Sequence, residues 1–114
     1  MTTISQLPAT VHLHFVQGDT FRRRLHFYNE SGDVDISTWT ITAQVRPYPV
    51  SELSEDFATT VVTDGTDGLV DIELTHDQAR RLDERSVWDF QYDDGSTVLT
   101  LLVGTVTVDR EVTR

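Results

Sequence analysis

Val87-Trp88-Asp89-Phe90-Gln91-Tyr92, then Asp93-Asp94-Gly95-Ser96, then Thr97-Val98-Leu99-Thr100-Leu101-Leu102-Val103-Gly104-Thr105-Val106-Thr107-Val108 is the stretch that decides the fold. In the first run Trp88, Phe90 and Tyr92 alternate with Asp89 and Gln91, the period of a half-buried strand. The Asp-Asp-Gly-Ser cluster is a turn, because Gly accepts positive φ and Asp bonds its own backbone locally. From Val98 to Val103 the second run is apolar on both faces, as expected of a strand covered on both sides. Gly104 interrupts it and predicts a bulge, after which Val106 and Val108 point one way and Thr105 and Thr107 the other. This is a two-strand unit that builds a core and carries no chemistry of its own.

The same grammar runs upstream. Val11, Leu13 and Phe15 alternate with His12 and His14, and Gln17–Thr20 is a turn. Phe21, Leu25 and Phe27 share a parity with Arg23, opposite Arg22, Arg24 and His26. Asn29–Asp33 turns the chain again. Trp39, Ile41, Ala43 and Val45 alternate with Thr40, Thr42, Gln44 and Arg46, and Pro47-Tyr48-Pro49 stops that strand, since proline donates no ladder hydrogen bond. Val50 to Asp56 reads as a loop, Phe57 to Thr63 as a strand, and Asp64–Gly68 as a turn. Val70, Ile72 and Leu74 form the next strand. Thr75 and Gln78 then make a capping box for a short helix near 75–82, with Ala79 and Leu82 inward.

About seven strands with turns every eight to twelve residues predict an all-β, immunoglobulin-like sandwich with one short helix. Residues 1–10 are expected to be an extended arm, and 11–114 a single domain. The expected core comprises Phe15, Phe27, Trp39, Ile41, Val70, Ile72, Leu74, Trp88, Phe90, Leu99 and Leu101.

Composition narrows the function classes. Nineteen acidic residues against nine basic ones leave a net charge of −10, and all nine basic residues are Arg. That balance opposes nonspecific nucleic-acid binding, which needs a basic footprint, and favours solubility at high local concentration. The absence of Lys points to a GC-rich genome or to a high-salt habitat. With no Cys, disulfides, thiol nucleophiles and thiolate zinc sites are out of reach. At 38% hydrophobic residues and without a basic-apolar leader, the chain reads as a globular protein with no membrane span, made in a reducing cytoplasm.

Four features are candidate sites. His12 and His14 lie on one strand face, and a three-residue hairpin loop after Gln17 would bring His26 opposite His12 as a zinc triad. With no carboxylate in register and no enclosed pocket, an exposed polar face is the preferred reading, so no metal or other cofactor is expected. Asp64, Asp67 and Gly68 suggest a calcium loop, but Thr75 stands where its bidentate Glu belongs. Arg22 and Arg24 share a strand face, where they pair with carboxylates or serve an interface. Tyr48, between two prolines, is either a loop anchor or a sugar platform. Ser and Asp cluster in turns, and no nucleophile stands beside a base, so neither enzyme activity nor a small-molecule substrate is expected.

Phe15-Val16-Gln17-Gly18-Asp19-Thr20-Phe21, and then Asp33 through Arg46, resemble the opening of the N-terminal domains of phage baseplate upper proteins. Leu69–Thr75 with the following helix, Trp88–Gln91, and the closing Gly104–Thr113 are similar too, so the resemblance spans Val11 to Thr113. It implies a small immunoglobulin-like domain that attaches tail or baseplate parts in the virion, assembled in the host cytoplasm. The implied partners are other virion proteins and copies of itself. Members of that family usually continue into a fibre or receptor-binding region. This chain ends at Arg114, so an adaptor role is expected, with capsid decoration as the alternative and a soluble carbohydrate-binding module as the competing class. Attachment is expected through surface contact or strand addition, with Ile4 and Leu7 of the arm as interface residues beside Arg22 and Arg24.

Overall fold

The computed structural model describes residues 8–112. Its elements are β1 (Ala9–Thr10), β2 (Leu13–Val16), β3 (Phe21–His26), β4 (Tyr28–Asn29), β5 (Gly32–Asp33), β6 (Thr40–Arg46), β7 (Glu55–Asp56), β8 (Ala58–Val61), β9 (Leu69–Leu74), α1 (His76–Arg80), β10 (Arg85–Asp93) and β11 (Val98–Asp109). Seven of these strands have four residues or more: β2, β3, β6, β8, β9, β10 and β11. The larger sheet runs β1–β11–β10–β6–β7, with β2 also on the free side of β11, and the smaller sheet runs β3–β9–β8. Both β1 and β2 lie parallel to β11, while β10 is antiparallel to both β11 and β6. This is the strand order of an immunoglobulin-like sandwich.

Alternation decides which face of each strand is buried. In β10, Ser86, Trp88 and Phe90 point inward and are buried, while Val87, Asp89 and Gln91 face out and are half-buried. β6 buries Ala43 and Val45, and β9 buries Val70, Ile72 and Leu74 completely. The rings between the sheets form two runs. Phe15 stacks on Phe21 (4.8 Å), Phe21 meets Phe57 edge-on (6.1 Å), and Phe57 meets Trp88 (5.7 Å). At the other end Phe90, Phe27, Trp39 and Tyr92 follow one another at 5.4, 5.5 and 4.1 Å. Offset and edge-on ring pairs of this kind add to what area burial alone contributes.

The structure differs from the sequence reading in several places. Gly104 is not a bulge: it pairs in register with Trp88. The bulge lies at Leu101, where the ladder steps from Phe90↔Leu102 to Gln91↔Thr100. Leu99, beyond that step, is only half-buried and lies outside the core cluster. Trp39 precedes β6 and is half-buried against the core, as are Phe15, Phe27, Ile41 and Leu101. Core residues absent from the expected set include Phe21, Ile36, Phe57, Val106 and Val108, while Leu82 is buried as the helix reading expects. The expected loop from Val50 to Asp56 ends in β7, which pairs with Gln44 and Val45. Phe57 is the point where the chain leaves the larger sheet for β8 in the smaller, its N–H donating to the Ala43 carbonyl at 2.9 Å. The expected arm is shorter at its inner end, because Ala9 and Thr10 pair with Leu102 and Val103.

Helix α1 starts where the capping box predicts. The Thr75 side chain accepts from the Gln78 N–H at 3.2 Å, and the Gln78 side chain accepts from the Thr75 N–H at 2.9 Å. Ala79 is buried, and Leu82 just beyond the helix closes over the core.

Candidate functional site

The histidines do not converge. β2 belongs to the larger sheet and β3 to the smaller, so the hairpin that would set His26 against His12 does not form. His12 Nδ1 accepts from the Thr105 N–H at 3.3 Å and lies 2.8 Å from Thr105 Oγ1. His14 Nε2 lies 2.9 Å from Asp109, and His26 Nε2 lies 2.7 Å from Asp33. No group of three or more metal-type side chains gathers among the described residues.

Arg22 and Arg24 sit on the outer face of the smaller sheet, directly across from Glu73 and Asp71. Arg22 donates to Glu73 at 2.8 Å, and Arg24 donates to both Asp71 oxygens at 2.7 and 3.1 Å. The second pair holds Asp71 below the usual carboxylate range, chiefly through those hydrogen bonds. Such exposed pairs contribute little to stability. Ile4 and Leu7 lie outside the described residues. Asp64 accepts from the Thr66 N–H and hydroxyl, so it caps its own turn.

A more distinctive surface covers the outer face of the larger sheet. Gln44 and Arg46 of β6, Val87 and Asp89 of β10, and Val103 of β11 surround an open hollow of about 300 Å³, with Pro49 at its rim. In the ladder Asp89 lies directly between Gln44 and Val103. Burial pushes its carboxyl above the usual range, and Arg46 nearby only partly offsets this. Arg46 spends its guanidinium elsewhere: Nη1 donates to the Ser51 carbonyl at 2.5 Å and Nη2 to Gln44 Oε1 at 2.8 Å. Gln44 in turn donates to Asp56 at 2.8 Å. Among the described residues no donor hydrogen-bonds Asp89.

Beside the hollow, the β6–β7 loop presents Tyr48, Val50 and Leu53 at 56, 86 and 73% exposure. The loop is pinned from beneath. Buried Ser51 donates its N–H to the Tyr48 carbonyl, accepts from the Leu53 N–H through Oγ, and takes Arg46 on its carbonyl. On the loop's other side Pro47 and Leu53 border a second hollow of about 290 Å³, which Arg81 and Glu55 bridge at 2.6 Å. Three large side chains, Tyr48, Val50 and Leu53, are thus exposed on one loop that Ser51 ties to the sheet.

The sequence reading saw Asp89 only as a polar alternate of β10 and Tyr48 only as a loop residue or sugar platform. The available signal was Asp in mid-strand, a type disfavoured there, in a run otherwise built from β formers. No known family model matches the chain, and no curated protein matches it.

Proposed function

We propose that the protein is a non-enzymatic structural component of a tailed-phage virion, acting as a tail or baseplate adaptor through contacts with other virion proteins and with copies of itself. The observation that carries this reading is the immunoglobulin-like strand order in a chain whose turn and core motifs, from Val11 to Thr113, resemble baseplate upper-protein domains. The fold implied by that resemblance is the one the chain adopts. Two further features support it. The Asp-rich turn clusters, where a catalytic carboxylate would be sought, are occupied with their own backbones: Asp35, Asp64 and Asp94 each accept from an N–H two residues on. The pinned apolar loop between β6 and β7 supplies a ready contact surface.

Mass spectrometry of purified particles, with heads and tails separated, tests the proposal. The protein should be found in the tail fraction in stoichiometric amount. Recovery in heads would move it to capsid decoration, and absence from both would end the virion reading.

A further inference from the structure

We infer that the hollow over Asp89 is a socket for an arginine side chain of a partner protein. The inference deepens the reading of this protein as a contact module and rests on it. Its geometry comes from the sheet. Asp89 rises from the middle of β10, with Val103 beside it on β11 and Val87 two residues back on the same face. Val87, Val103 and Pro49 give the hollow apolar sides, Gln44 and Arg46 also line it, and the carboxylate of Asp89 stands among them.

A carboxylate partly removed from water is stabilised by a cation that hydrogen-bonds it. Among the described residues none hydrogen-bonds Asp89, and the guanidinium of nearby Arg46 is bonded to Ser51 and Gln44.

What fits is a group with an apolar stem and a cationic, donor-rich head. Arg meets this better than Lys, since its guanidinium is more weakly hydrated and can bind a carboxylate with two parallel N–H···O bonds. Charge agrees, because a chain of net charge −10 selects basic partners. The exposed Tyr48, Val50 and Leu53 would then pack on the apolar surroundings of that arginine, leaving it as the desolvated anchor of the contact.

The test uses the full chain and needs no partner in hand. N-acetyl-arginine-N-methylamide is titrated in while the Asp89 carboxyl and the Val87 and Val103 methyls are followed by NMR, with the uncharged citrulline analogue as control. Saturable shifts centred on these three residues, with the Asp89 pKa falling as the probe binds, are expected. Asp89→Asn should weaken binding about tenfold, the loss of one charge-assisted hydrogen-bonded pair, while Asp109→Asn leaves it unchanged. Equal binding of citrulline, an unmoved Asp89 pKa, or shifts spread evenly over the chain's carboxylates would overturn the inference. The pKa readout on the wild-type chain holds even if a variant folds poorly. Failure here would leave the virion reading to the particle analysis, and failure there would leave the socket chemistry intact.

Discussion

Gly104 is glycine because the first strand leans over it. Between β1 and β2 the chain steps inward at Val11, whose carbonyl accepts from the Trp88 indole N–H at 2.8 Å. A Cβ on Gly104 would overlap that carbonyl and crowd the indole nitrogen. Backbone cannot rotate aside as a side-chain tip can, so Gly104→Ala is expected to cost about 1–3 kcal/mol, the usual range for overpacking. Denaturant unfolding followed by Trp fluorescence measures it, and an unchanged midpoint would contradict the close approach. Asp89 makes the opposite prediction. Burial raises its folded pKa, so its contribution favours the fold below the ordinary value of 3.8 and is lost as pH rises through the raised value. Asp89→Asn should therefore raise the melting temperature at pH 7, with the gain over wild type shrinking as pH falls through the raised value and gone below the ordinary one. A variant less stable than wild type at neutral pH would mean that the charge is satisfied in the fold.

At the level of elements, the strands and the helix cap were readable because each is local. β6, β9 and β10 bury alternate residues, and the Thr75–Gln78 box needs only four residues to be recognised. Thr75→Ala should cost about 1 kcal/mol by removing an N-cap acceptor, and loss of amide protection confined to α1 would confirm that the cap acts locally. Ile36 and Phe57 were not readable, because neither sits in a run with a period. Ile36 is buried by a loop whose N–H reaches across to the Gly65 carbonyl at 2.9 Å, and Phe57 is buried where the chain changes sheets. The pairing of β2 with β11 joins residues more than ninety positions apart, and nothing local encodes it. That is why a β2–β3 hairpin looked available and a histidine cluster with it. Leu99 was misplaced for a simpler reason: one extra residue at Leu101 shifts everything beyond it. Ile36→Ala should destabilise by about 2–5 kcal/mol, a core-sized penalty from a loop position, read as a lowered denaturant midpoint. A value near zero would remove Ile36 from the core.

For the whole molecule, the question is which surface meets a partner. Three of the four edges of the two main sheets are poorly suited to strand addition. β7 is two residues long, and the first strand is split into β1 and β2. At the edge of the smaller sheet, Arg23 has the parity of the buried Phe21 and lies across from buried Ile72, with its guanidinium 5.2 Å from the Phe21 ring. Short strands and inward-parity charges are devices that discourage edge pairing. The faces differ as well. The smaller sheet answers Arg22 and Arg24 with its own Glu73 and Asp71, whereas on the larger one Asp89 has the charge of Arg46 nearby but, among the described residues, no hydrogen bond, beside an exposed apolar loop. The proposed contact therefore lies on the outer face of the larger sheet. Hydroxyl-radical footprinting of the isolated protein and of the purified particle tests this most directly, because it reads side-chain accessibility residue by residue. Tyr48 and Leu53 should be oxidised in the isolated protein and protected in the particle, while Tyr28, 70% exposed on the β4–β5 hairpin, reacts in both. Protection of Tyr28 with Tyr48 and Leu53 still reactive would contradict the account.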